Sequence, residues 1–234
     1  MEYEMYKTIE KESLRWYYNT KSPSILFPSC TTVIGYKDKL FGKWKNSRPG
    51  DAANFGTSMH FQIEKYIYDK YNVGNPEDMG FPHINIWNLS YQEGQEKIKK
   101  VMRMFFEFEK EHPDYYPLLQ ELALFYDKNN LKFAGRIDQY VRLDGKNTLL
   151  DLKTGGYWPE YDYQLAGYFI LLSQFENVEQ VVCLYLDSNE VRNPTKKYKL
   201  HKYSIEEIIT NSGVFMNKLK EFHSNNIWEY INEV

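Results

Sequence analysis

Residues Gly135–Gly155 read GRIDQYVRLDGKNTLLDLKTG. Apolar residues flank Asp144-Gly145, a dipeptide that tolerates positive φ, so the stretch predicts two strands joined as a hairpin. Asp138, Asp151 and Lys153 fall inside the apolar runs and not in the turn. A turn made of Asp144 and Gly145 alone pairs Leu143 with Lys146 and sets Asp138 opposite Asp151. A longer loop, Asp144 to Asn147, sets Asp138 opposite Lys153. Either register keeps the three charges on one face, because side chains alternate along a strand. The other face then carries Ile137, Val141, Leu143, Leu150 and Leu152. The same count across the preceding turn pairs Glu121 with Arg136. It adds Glu121 to the charged face, with Leu122, Leu124 and Phe133 opposite.

A solvated sheet face with a weak surface ion pair is the ordinary explanation for such a pattern. Against it, TLLDLK has the composition of a buried strand, and Ala123, Ala134 and Tyr140 share the charged face. Neighbouring carboxylates repel unless a cation lies between them, and a divalent cation with oxygen ligands is the natural partner. A lysine two residues from such a ligand is placed to hold a water or to stabilise a developing negative charge. The charges therefore read as a site.

Met1 to Pro23 form a charged, aromatic lead. Phe55, Met59, Ile63 and Ile67 recur at helical spacing. Tyr91 to His112 predicts an amphipathic helix with Ile98, Val101, Met102, Phe105 and Phe106 on its apolar side. After Pro117 the period changes to two, predicting strands Leu118 to Tyr126, Lys132 to Leu143 and Thr148 to Lys153. A helix over Tyr161 to Phe175 follows, then a buried strand Gln180 to Leu186 and a polar strand Lys196 to Tyr203. The last segment, Ser204 to Ile231, is mostly helical, with Ser204 and Glu207 in capping-box positions. The expected fold is a single α/β domain over 1–234, with a mixed, antiparallel-led sheet flanked by helices. Residues 1–117 are expected to be mainly helical, 118–203 to form the sheet core with a helix, and 204–234 to form a C-terminal helix.

The net charge of −3 over 234 residues gives no global basic signature of nucleic-acid binding, which leaves a local groove open. Rings are abundant, with 21 Tyr, 14 Phe and 5 Trp, so some can stack on bases while most pack. Cys30 and Cys183 form no CxxC pair, which excludes a four-cysteine zinc site or an iron–sulfur cluster. The charged N-terminus is no signal peptide and no apolar run reaches membrane length. A cytoplasmic protein without membrane association is expected, in a bacterial or phage-infected cell.

Gly135-x-x-Asp138, Asp151-x-Lys153-Thr-Gly and Gln164-x-x-x-Tyr168, in this order, resemble the PD-(D/E)xK nuclease superfamily, in its RecB-like branch. GTSMH (Gly56 to His60) resembles the helix histidine motif of that branch. With PSCTTVIG upstream, the chain is similar to phage exonucleases and the mitochondrial genome maintenance exonuclease group. The likeness spans roughly Pro28 to Leu186.

The resemblance implies a restriction-endonuclease-like core and a Mg2+- or Mn2+-dependent deoxyribonuclease, without an iron–sulfur cluster. It implies an exonuclease on single-stranded or end-exposed DNA, in recombination or genome processing. Asp138, Asp151, the Leu152 carbonyl and His60 would ligate the metal, with Glu121 as a further ligand. Lys153 would position the attacking water, and Gln164 and Tyr168 would brace the lysine and contact DNA. Thr154, Thr31 and Thr32 are candidates for phosphate contacts. Lys43, Trp44 and Arg48 would line an arch formed by the loops Asn46–Gly56 and Asn72–Trp87. Tyr157 and Trp158 are candidate stacking rings. A structure-specific endonuclease and a catalytically silent DNA-binding module are the alternatives.

Overall fold

A computed structural model of the chain describes residues 6–11, 14–40, 50–74, 91–186 and 198–225. Its elements are β1 (Tyr6–Lys11), β2 (Leu14–Asn19), β3 (Ser22–Pro28), α1 (Cys30–Leu40), α2 (Gly50–Tyr71) and α3 (Tyr91–Glu111). Then come β4 (Tyr116–Lys128), β5 (Leu131–Leu143), β6 (Lys146–Lys153), α4 (Glu160–Leu172), β7 (Gln180–Tyr185), β8 (Lys199–Tyr203) and α5 (Ile205–Ser224).

The main sheet has the order β4-β5-β6-β7-β8. All its neighbours are antiparallel except β6 and β7. A parallel pair needs a crossover connection, and α4 supplies it. This is the mixed, antiparallel-led sheet flanked by helices that the sequence predicts.

Leu143 pairs with Lys146, and Asp144 and Gly145 have φ of 52° and 73°. The turn is therefore two residues long with both φ positive, as a primed hairpin turn requires, and the longer loop does not form. The preceding turn is Asn129-Asn130, also at positive φ, between the paired residues Lys128 and Leu131. That count places Ala123, not Glu121, opposite Arg136. Glu121 lies between the pairs Gln120–Gln139 and Leu122–Ile137, hence across from Asp138.

Both faces of the sheet are covered, which corrects the expectation of one apolar and one charged face. Leu149, Val181 and Cys183 pack with α1, α4 and α5, including Leu165, Leu171 and Phe215. Val141, Leu143, Leu150, Leu152 and Leu184 pack with α2 and α3, including Met59, Ile63 and Phe105. Ile137, expected beside Val141, joins the first cluster instead. The strict alternation that the sequence count assumed breaks between them.

The described part of residues 1–117, expected to be mainly helical, carries three strands ahead of α1, α2 and α3. β1, β2 and β3 form an antiparallel sheet, tied to β5 by a bridge between Ser29 and Ala134. β1 is mostly exposed, so it carries no alternation to read. β2 is fixed by tertiary packing of Leu14 and Trp16 against Tyr36 of α1 and Phe222 of α5.

Helix α2 buries the expected stripe of Phe55, Met59, Ile63 and Ile67. In α3, Phe106 is exposed, and Met104 and Phe108 are buried beside Ile98, Val101 and Phe105. Adjacent helix positions differ by about 100°, so Phe105 and Phe106 cannot share one face. The capping box at the start of α5 forms as expected: the Glu207 amide donates to Ser204 Oγ and the Ser204 amide to Glu207 Oε2.

Candidate active site

The site begins with a departure from regular strand geometry. Glu121, inside β4, has φ of 50°. This left-handed conformation is costly for a residue with a side chain and often marks function. Alternation fails around it. The Gln120 side-chain amide donates to the carbonyls of Glu64 in α2 and of Val73 just after it, and the neighbouring Glu121 carboxylate also faces α2, at His60. The β5–β6 ladder ends at Gln139 and Leu150, which leaves Asp138 just beyond it.

Three ligand-capable groups meet there. His60 Nδ1 lies 3.5 Å from Asp138 Oδ1 and 3.7 Å from Glu121 Oε1. One donor atom from each of His60, Glu121 and Asp138 falls within 4.8 Å of the others. Asp138 Oδ2 accepts the Leu152 amide at 2.7 Å, which anchors this group to β6. The Leu152 side chain packs toward α2 and α3.

Asp151 and Lys153 face the α4 side. Lys153 Nζ is 2.7 Å from Asp151 Oδ2, donates to Gln164 Oε1 at 3.2 Å and lies 4.6 Å from the Tyr161 ring centre. Gln164 Nε2 donates to the Tyr168 hydroxyl at 2.7 Å. Cys183 directs its thiol at Asp151 Oδ2, 3.8 Å away. Asp138, Asp151 and Lys153 thus come together where β5 and β6 part, and not through a shared flat face. Asp138 touches α2 through His60, and Asp151 reaches α4 through Lys153.

Burial works to raise the Asp138 pKa, but His60, Lys153 and the Leu152 amide outweigh it and hold the carboxyl low. Burial alone would lower the His60 pKa, yet Asp138 and Glu121 carry it well above the usual imidazole range. Burial pushes the Asp151 carboxyl up to about 6; Lys153 opposes that push and Asp138 adds to it. For Lys153, burial acts downward and is overcome by Asp151 and Asp138, which keep the ammonium charged.

The donor set fits a divalent cation on three counts. Imidazole with carboxylates suits Mn2+, and oxygen ligands suit Mg2+. Asp151 Oδ1 is buried with no hydrogen-bond partner, an expensive arrangement for a carboxylate unless a cation serves it. The carboxylates of Glu64, Glu121, Asp138 and Asp151 face the cations Arg136 and Lys153. Among the described residues of this cluster, carboxylates outnumber Arg136 and Lys153 when His60 is neutral, as a metal-bound imidazole would be.

Arg136 and Glu64 take a larger part than the sequence reading gave them. Arg136 contacts both Glu121 and Glu64. Glu64, one helical turn after His60, is buried. The signals were the shared parity of Arg136 and Asp138 on β5 and the helical spacing of His60 and Glu64.

Other expected contacts fare differently. Thr32 is fully buried, and its hydroxyl is occupied by Ser29 and by the Arg15 backbone. It clamps the start of α1 to β2 and is not free to meet a phosphate. Thr31 is exposed, with its hydroxyl 3.0 Å from Ser29 Oγ. Thr154 is partly buried, and a Cβ added at Gly56 would lie 3.5 Å from its Oγ1, so α2 passes close to the end of β6. Tyr157 and Trp158, in the segment after Lys153, are 51% and 62% exposed, as stacking rings need to be. Lys43, Trp44 and Arg48 lie outside the described residues, as does most of Asn72–Trp87. Gly50 to Gly56 is part of α2, not of a loop.

No family model and no curated protein matches the chain. Several solved structures are remotely similar. One is a protein called a "Putative exonuclease" from Eubacterium rectale, with a TM-score of 0.46 and 13% identity over 81% of this chain and 73% of that one. Another is SSO0001, with a TM-score of 0.29 and 12% identity over 79% of this chain and 83% of that one. Likenesses this distant leave the functional reading to the site. Among the described residues no helix is long and apolar enough to cross a membrane.

Proposed function

We propose that the chain is a divalent-metal-dependent deoxyribonuclease of the PD-(D/E)xK kind, acting as an exonuclease on single-stranded or end-exposed DNA. The observation that carries this reading is the meeting of His60, Glu121 and Asp138 within 4.8 Å beside the buried Asp151–Lys153 pair. His60, Glu121, Asp138 and Asp151 would hold Mg2+ or Mn2+. Such a cation supplies Lewis acidity toward phosphate oxygens and a more acidic water.

The chain's own residues do the rest. Lys153, fixed by Asp151 and Gln164, would orient the attacking water and stabilise the developing negative charge. Gln164 is itself oriented by Tyr168, so the lysine has little freedom to swing away. The exposed Tyr157 and Trp158 offer stacking surfaces to unpaired bases. Action from free ends, and a place in recombination or genome processing, rest on the sequence resemblance.

Linear and covalently closed circular single-stranded DNA, incubated with the protein and Mg2+, test the reading. The linear strand should be degraded and the circle should survive. Rapid cutting of the circle would replace the exonuclease with a structure-specific endonuclease on the same site. Survival of both substrates would contradict exonuclease action on single-stranded DNA.

A further inference from the structure

Arg136 lies two residues before Asp138 on β5. Its Nε is 2.5 Å from Glu121 Oε2 on β4, and its Nη2 is 3.7 Å from Glu64 Oε2 on α2. Glu64 follows His60 by one helical turn, so Arg136 ties together the three elements that carry His60, Glu121 and Asp138. The side chain is 36% exposed, but Nε is buried. Its contact with Glu121 is a close ion pair not aligned as a hydrogen bond.

Glu121 is where such a tie has most to do. Its backbone is held at a φ of 50°, and its carboxylate is divided, with Oε2 toward Arg136 and Oε1 toward His60. A carboxylate on a strained backbone, between a histidine and a second acid, has other directions in which to turn. The guanidinium removes that freedom on one side.

We propose that Arg136 is a positioning residue for the cation site: it engages one oxygen of Glu121 and leaves the other to the metal, while holding the His60 helix in register through Glu64. The inference rests on the metal-site reading above. It differs from a simple charge effect. A cation beside a metal site repels the metal, so an arginine acting by charge alone weakens binding, and its removal strengthens it.

Titration calorimetry with Mn2+ on the full chain separates the cases. Wild type should bind Mn2+. Arg136→Gln should bind it about 10- to 100-fold more weakly, the scale for losing a partner that orients a ligand. Arg136→Lys keeps the charge but lacks the rigid fork, and should still bind more weakly than wild type. In a Glu121→Gln background, Arg136→Gln should cost little further affinity, because the two act through one ligand. Unchanged or tighter binding by Arg136→Gln would overturn the proposal, and so would an undiminished loss in the Glu121→Gln background. Should Arg136→Gln not fold, wild-type affinity in Arg136→Lys would overturn it equally. Absence of Mn2+ binding by wild type would instead remove the metal-site reading on which the proposal stands.

Discussion

At the scale of single residues, the site is a set of charges whose protonation is shifted by its neighbours. Burial acts to lower the His60 pKa, but Asp138 and Glu121 outweigh it and raise it well above the usual imidazole value. That raised pKa stabilises the metal-free fold fully below the ordinary value of 6.5, and that contribution is lost as pH rises through the folded pKa. A metal ligand must be neutral imidazole, so a cation competes with the proton on His60. Mn2+ binding should therefore tighten as pH rises above the ordinary imidazole range. It should release about one proton, seen as a dependence of the calorimetric heat on buffer ionisation enthalpy. His60→Ala should weaken Mn2+ binding by more than about tenfold and abolish that proton release. Binding by wild type that does not vary with pH would show that His60 is not a ligand. Asp151 differs: with its carboxyl pushed up to about 6, it is partly protonated in weakly acidic solution, where metal binding has a second proton to displace.

Among elements, the hairpin was legible and the kink was not. Asp144-Gly145 marked the hairpin but left two loop lengths open; the structure takes the two-residue turn, which sets the β5–β6 register and puts Asp138 just beyond its end. The stripe of α2 and the capping box of α5 were equally readable, because each depends on residues within a turn or two of chain. Nothing local marks Glu121 as left-handed, and that conformation is what turns Gln120 and Glu121 both toward α2. Strict counting therefore reached the correct neighbours by an over-simple route, one flat face. Burial of both sheet faces was also hidden, since acids inside apolar strands look like a solvated side. β1 stayed invisible because it is nearly all exposed. Gly135, the first residue of the deciding stretch, has a packing role: a Cβ there would lie 2.8 Å from the Tyr168 ring and 2.9 Å from Leu171. Gly135→Ala should push α4 off β5 and destabilise the fold by about 1–3 kcal/mol, the usual cost of overpacking a core. A thermal melt checks this. An unchanged Tm would mean that α4 is not seated closely on the strand.

Over the whole molecule, the fold joins two layers at one edge of a parted sheet. α2 brings His60 and Glu64 from one face, and α4 brings Gln164 and Tyr168 from the other. β4, β5 and β6 supply Glu121, Asp138, Asp151 and Lys153 between them. These groups are scattered over a hundred residues of sequence, so only the completed sandwich assembles them. An overall charge of −3 is compatible with a DNA-cutting protein when the acids are gathered around a cation. The most direct test of that claim is release of label from end-labelled linear DNA with Mg2+, comparing wild type, wild type with EDTA, and Asp138→Asn. Asp138→Asn removes a charge with little change in volume, and its folding can be verified by a melt. Wild type should release label, EDTA should stop it, and the folded Asp138→Asn protein should be inert. Release that persists in EDTA, or that Asp138→Asn performs as well as wild type, would contradict a metal-dependent nuclease built on this cluster.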